Sequence, residues 1–153
     1  TDPGLIDALY QRFHYDCREE KHRDGTPYYS RAAASVRNGK LSLRHNSGYA
    51  RTAQRIENCP PHSDAQIRVM KRIDRLSNDP EIRFDVQLEE GDMLFINNYQ
   101  VMHARGEFED YEEPERKRHL MRLWLYLHKG RSLAPDFDNR DTIITTEGAE
   151  GAL

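Results

Sequence analysis

Between residues 84 and 127 four strand-patterned segments follow one another, and this succession constrains the fold more than any other feature. Phe84, Val86 and Leu88 alternate with Asp85 and Gln87, the pattern of a half-covered strand. Glu90-Gly91-Asp92 turns the chain into a second strand, MLFI at 93–96. Asn97-Asn98 breaks it, and a third extended piece carries Val101, His103 and Arg105 on one face. A charged loop at 107–117 leads to a fourth strand, RHLMRLWLYL at 118–127. Strands in succession, joined by turn-rich connections, predict an antiparallel β core with peripheral helices rather than βαβ units.

The rest of the chain supplies the helices and one hairpin. Asp2 caps and Pro3 opens a helix whose apolar stripe is Leu5, Ile6, Leu9, Tyr10 and Phe13. Residues 16–27 are polar and turn-rich, a surface loop. Residues 28–36 and 41–43 flank Asn38-Gly39, the strongest short hairpin signal. Residues 46–61 read as irregular and end in Pro60-Pro61. The best helix is 64–77: Ser63 and Gln66 form a capping-box pair, and Ile67, Met70, Ile73 and Leu76 make its stripe. Asn78 and Pro80 stop it.

Composition narrows the function classes. Twenty-three basic and 26 acidic residues leave a net charge of -3, without the basic excess of a nucleic-acid-binding domain. Hydrophobic residues are 37% of the chain, but they are spread throughout, which argues against charge-driven disorder. No apolar run approaches a membrane span. Cys17 and Cys59 lie far apart without metal-type spacing and fit inert free thiols in a reducing cytoplasm. No leader-like segment opens the chain, so the expected location is cytoplasmic. The first residue is Thr1 and the sequence opens on a helix start, so the expectation is a segment of a larger architecture.

The fourth strand carries the chemistry. Arg118, Leu120, Arg122 and Trp124 share one face; His119, Met121, Leu123 and Leu125 share the other. Two guanidiniums on an apolar strand are costly to bury unpaired. They call for anionic partners, and arginine is shaped to grip a carboxylate with two parallel hydrogen bonds. His103, on the preceding strand, faces the same region. By pattern alone it is either a metal ligand or a half-buried histidine bonded to a carbonyl. Trp124 reads as core. His45 and Tyr49 either line a substrate mouth or belong to an ordinary surface loop. Asn97 is a turn residue, and Tyr99 has no assigned role.

The ordered set Gly91-Asp92, Asn98, His103, Arg118 and Arg122, with the runs GDMLFINN, MHAR and RHLMRLWL, resembles the C-terminal signature of a known family. It is the taurine dioxygenase-like (TauD/TfdA) family of iron(II)- and 2-oxoglutarate-dependent oxygenases. The resemblance covers residues 2–137. It implies a double-stranded β-helix, or jelly roll, of which 1–137 would be the C-terminal part and 138–153 a partly flexible tail. It implies that His103 is the distal histidine of a two-histidine, one-carboxylate iron site. Arg118 would bind the distal carboxylate of 2-oxoglutarate. Arg122 would hold the cosubstrate or an anionic substrate group, and Asn98 would sit beside the cosubstrate.

The family's first two ligands form a His-x-Asp or His-x-Glu motif, and this chain departs from that pattern. His22-Arg23-Asp24 precedes His103 by 81 residues and lies in a turn-rich loop. His62-Ser63-Asp64 is better explained by helix capping. The expectation is therefore a jelly roll incomplete on its N-terminal side, with His103 as metal ligand and the pair His22 and Asp24 as the alternative. The implied activity is hydroxylation or a related C–H oxidation of a small, anionic metabolite. It would use Fe(II), O2 and 2-oxoglutarate and release succinate and CO2, with no nucleic-acid or membrane partner. Open sheet edges predict a homo-oligomer or a missing N-terminal half. The rival expectation is a non-catalytic jelly-roll binding module without a complete metal site. A cupin-like site would need clustered histidines, and the seven here are scattered.

Overall fold

The computed structural model describes residues 3–18, 21–22, 24–125, 130–135, 137 and 143–144. Asp2, expected to cap the first helix, lies outside the described residues.

Helix α1 runs Pro3–Leu9, shorter than the apolar stripe suggests. Phe13 is not its last residue but the first inward side chain of strand β1, Arg12–Asp16. Phe13 and Tyr15 point inward and are fully buried, whereas Arg12 is exposed. The shared spacing of Leu9 and Phe13 fits a helix, but the Phe13–Tyr15 alternation wins because it buries two large rings against a neighbouring strand. That neighbour is β3, Tyr28–Ala32. The two run antiparallel, with Phe13 opposite Arg31 and Tyr15 opposite Tyr29.

The polar loop between them contains strand β2, Lys21–His22. It pairs antiparallel with β6, Ile143–Ile144. The Asn38-Gly39 hairpin forms as expected: β4, Ala34–Arg37, pairs with β5, Lys40–Leu43. Asn38 and Gly39 both take positive φ, 53° and 70°, which suits a two-residue turn between twisted strands.

The segment at 46–61 is not irregular. Asn46 caps helix α2, Ser47–Ala53, by accepting a hydrogen bond from the Tyr49 backbone N–H. Its buried face is Ala50 and Ala53; residues this small leave a weak apolar stripe, and α2 packs against β1. Helix α3, Asp64–Ser77, has the expected bounds and the expected Ser63–Gln66 capping box. Its inward face is rotated from the period-three stripe. Gln66, Val69 and Met70 are buried, while Ile67 is 38% exposed. Helix α1 packs on α3, and the core joins Ala8, Phe13, Tyr15, Cys17, Tyr29, Ala50, Val69 and Met70.

Residues 84–125 differ from the expectation. None of 84–88, 93–96, 101–105 or 118–125 forms a strand, and every sheet among the described residues is two-stranded. No residue from 81 to 125 is buried, and Trp124, expected in the core, is 70% exposed. Residues 126–127 of the fourth predicted strand lie outside the described residues. A strand's hydrogen bonds come from a neighbour, and within the described residues these segments have none. The charged loop at 107–117 is present and holds one short 3-10 turn at Pro114–Arg116. The described residues thus show short strands in two-stranded sheets and three helices, not a jelly roll.

Candidate functional site

The predicted site residues fall in two places. His22 and Asp24 lie in the loop between β1 and β3. His22 donates its backbone N–H to Thr26 O at 3.0 Å, and Gly25, at φ 81°, donates to His22 O at 2.8 Å. Asp24 Oδ1 accepts from the Thr26 backbone N–H at 2.9 Å and from its hydroxyl at 2.6 Å. This is an Asx turn, in which aspartate folds its own loop. The same oxygen lies 2.9 Å from His22 Nδ1, close enough for charge pairing but not aligned as a hydrogen bond. The Thr26 hydroxyl and N–H, then His22, hold the Asp24 carboxyl pKa down to about 2. One oxygen of this carboxylate is thereby committed to the loop. The two residues line a half-open cavity of about 360 Å³ with Arg12, Thr26, Tyr28 and Ser30.

The second place is the turn at 97–100 together with the segment from 101 to 125. Asn97 Oδ1 accepts from the Tyr99 backbone N–H at 3.1 Å, and Asn97 O accepts from Gln100 N at 2.9 Å, so Asn97 is a turn residue, as expected. Tyr99 O accepts from Leu43 N at 3.0 Å, tying the turn to β5, and the Tyr99 ring meets Phe137. Asn98 is half-buried, and its Oδ1 is enclosed without a hydrogen-bond partner. His103 and Arg122 are exposed. Arg118 donates its backbone N–H to Asp110 Oδ1 at 2.9 Å, which closes the charged loop. The Arg105 and Arg118 guanidiniums lie 4.5 and 5.3 Å from the Phe108 ring centroid. The ring thus holds the two flanking segments near each other by cation–π attraction.

The structure does not gather these residues into a metal site. Among the described residues no group of three or more His, Cys, Asp or Glu side chains is placed to hold an ion. An iron centre with a facial triad needs three such donors. His103 offers one and lies apart from His22 and Asp24, whose Oδ1 is committed to its own turn, so the described residues do not by themselves fit iron.

A buried network has no counterpart in the sequence reading. Arg31 is 2% exposed, lies within 6 Å of the Tyr15, Tyr29 and Phe137 rings, and donates to Arg44 O at 3.2 Å. Its Nε has no partner, and burial lowers its pKa. Tyr15 Oη pairs with His45 Nδ1 at 2.9 Å, and the half-buried His45 ring packs edge-on against Phe13 of the core. Burial lowers the His45 pKa to about 4 and pushes Tyr15 up. His62 Nε2 accepts the His14 backbone N–H at 3.0 Å, and Ser30 Oγ meets His14 Nδ1 at 2.7 Å. Tyr49 lies under the Arg18 guanidinium. The inward alternation of Tyr29 and Arg31 was the one available signal. Neither cysteine forms a disulfide; Cys17 is buried, and burial raises the Cys59 pKa.

The chain matches the Taurine catabolism dioxygenase TauD, TfdA family over residues 1–124. It belongs to that family. It is 28% identical over 134 residues to the FR-33289 synthase of Streptomyces rubellomurinus (strain ATCC 31215), an alignment covering 84% of this chain and 39% of that protein. No solved structure matches the chain. Among the described residues no helix is long and apolar enough to cross a membrane.

Proposed function

We propose that the protein works as an iron(II)- and 2-oxoglutarate-dependent dioxygenase on a small, anionic metabolite, within a jelly-roll domain. The carrying observation is the family match over 1–124, a range that contains Asn98, His103, Arg118 and Arg122 in order. Iron, when bound, supplies the oxygen chemistry. This chain contributes His103 as one ligand, and the remaining ligands come from outside the described residues. Arg118 grips the distal carboxylate of 2-oxoglutarate with paired N–H donors. Arg122, four positions on and on the same face, holds an anionic group of the substrate. Asn98 helps bind the cosubstrate.

A second reading has one observation in its favour. The described residues assemble no three-donor group, as a non-catalytic binding module would have it. Anaerobic titration with Fe(II), with and without 2-oxoglutarate, and an assay for succinate separate the two. The 153-residue chain alone is expected to bind iron weakly or not at all. A tight one-to-one site on it would return the ligand assignment to His22 and Asp24. In the active protein, Arg118→Ala is expected to raise the 2-oxoglutarate requirement about 10- to 150-fold, the worth of a lost charged hydrogen bond of ~1.5–3 kcal/mol. Arg122→Ala is expected to act mainly on the prime substrate. An unchanged cosubstrate requirement in Arg118→Ala defeats the assignment.

A further inference from the structure

Arg105 and Arg118 stand out by what they lack. Six of the residues from 107 to 117 are acidic, yet within the described residues neither guanidinium is paired with a carboxylate. Arg116, in the same loop, is the contrast. Its guanidinium lies 3.8 Å from the Tyr111 ring centroid and 3.7 Å from Glu113 Oε2, so it is satisfied where it stands. Arg105 and Arg118 instead share one ring, Phe108, at 4.5 and 5.3 Å. Asp110 is at hand, but its Oδ1 accepts the backbone N–H groups of Tyr111 and Arg118 at 3.1 and 2.9 Å and is thereby spent on the main chain.

A guanidinium lying over an aromatic ring spends its face on the ring and keeps its in-plane N–H donors for other partners. One ring between two guanidiniums also limits their separation, which cannot exceed the two ring distances together. Holding two like charges that close costs Coulomb energy, and an anion bound between them returns it. Phe108 is 42% exposed and both arginines are exposed, so a solute reaches the N–H edges. We propose that Phe108 is a positioning residue and Arg105 a second arm of the anion clamp that Arg118 begins. Phe108 fixes both guanidiniums, and the distal carboxylate of 2-oxoglutarate bridges them. A carboxylate has about four acceptor sites, enough for two parallel N–H bonds from Arg118 and a further one from Arg105. The proposal rests on the assignment of Arg118 given above and adds two residues to it.

Nuclear magnetic resonance on the nitrogen-labelled 153-residue chain tests this without iron and without turnover. The Nε–H signals of Arg105 and Arg118 are identified by their loss in Arg105→Gln and Arg118→Gln. The Phe108 ring is expected to move both signals upfield, and Phe108→Leu to return them to ordinary arginine positions. Titration with 2-oxoglutarate is expected to shift both along one binding curve. At matched ionic strength 2-oxobutyrate, which lacks the distal carboxylate, is expected to leave them in place. Phe108→Leu is expected to weaken binding about 2- to 5-fold, the worth of one exposed cation–π contact, with an unchanged melting temperature, and Phe108→Tyr to keep full affinity. Arg105→Gln is expected to weaken binding about 10-fold or more, as loss of a charged hydrogen-bond partner does. Three results overturn the proposal and leave the Arg118 assignment standing: Arg118 responding without Arg105, an unchanged affinity in Phe108→Leu, or full affinity in Arg105→Gln. An Arg118 signal that does not respond to 2-oxoglutarate, or responds equally to 2-oxobutyrate, overturns both.

Discussion

Residues 3–80 and residues 81–125 are similar in sequence texture and opposite in structure. Both mix charged residues with well-spaced Phe, Leu, Ile, Met and Val. In the first, Phe13, Tyr15, Ala8, Ala50 and Ala53 are wholly buried; in the second nothing is. The difference is the availability of partners. Strand β1 has β3 at its edge and α2 on its face, so each buried ring removes apolar surface from water on several sides. The strand-patterned segments of 84–125 have the side chains but no neighbour among the described residues. An apolar pattern states what a segment can bury, not that anything is there to bury it.

The comparison is broken most directly by truncating one aromatic in each region. Phe13→Ala is expected to cost about 3–5 kcal/mol, the range for a large ring removed from a packed core. Trp124→Ala in the same 153-residue chain is expected to stay within about 0.5 kcal/mol, as exposed positions do. Urea midpoints at constant m-value measure both. A comparable loss from Trp124→Ala would show that the second region is packed in solution and would erase the contrast.

Elements differ in how far they could be read from sequence. Helix α3 was legible to the residue because its signals are local: Ser63, Gln66 and Asn78 satisfy backbone groups within four positions. The Asn38-Gly39 turn was legible for the same reason, since its positive φ values are a property of those two residues. Helix α2 was missed because its inward face is Ala50 and Ala53, which hardly register as a stripe. The end of α1 was misplaced because Phe13 satisfies both the helical spacing from Leu9 and the strand alternation with Tyr15. The strand patterns of 84–125 predicted strands that the described residues do not form, because pairing is non-local and cannot be read from the segment itself. At the candidate site, His103, Arg118 and Arg122 stand out through motif order. The Arg31 network does not, because His14, His45 and His62 are single histidines far apart in sequence, joined only by folding around Phe13.

That network makes the first region acid-labile. His45 is held neutral, with its pKa near 4, mainly by burial and further by Arg31, His62 and Arg51, while Asp74 pulls the other way. His14 and His62 are shifted downward too. For His45 the unfolded chain takes up its proton near pH 6.5, whereas the folded chain resists until near pH 4. Stability is therefore complete above about pH 6.5 and falls as pH drops toward 4. The shift from 6.5 to about 4 puts the His45 share at roughly 3 kcal/mol. Urea unfolding between about pH 7.5 and about pH 4.5 should show this slope, and His45→Gln should flatten it. A slope unchanged in His45→Gln would assign the acid lability to other groups.

The smallest expected effect lies where α3 is stitched to β1. Ser63 Oγ accepts from the Gln66 N–H, and the Gln66 side chain accepts from the Ser63 N–H through Oε1 at 2.9 Å. The Gln66 amide Nε2 also donates to Arg12 O at 2.9 Å, at the start of β1. Gln66 thus serves two structures at once, whereas Ser63 serves only the cap. Ser63→Ala is expected to cost about 1 kcal/mol, the usual worth of a helix N-cap, and Ser63→Asp should restore it because aspartate caps as well as serine. Gln66→Ala should cost more than Ser63→Ala, because it also removes a partner of Arg12 O beside the buried Phe13. Equal losses from the two variants would mean that the Gln66–Arg12 bond adds nothing to the attachment of α3. Exchange rates of the β1 amides sharpen the point. They should rise in Gln66→Ala and stay unchanged in Ser63→Ala, since only the former loosens the strand that the first region is built around.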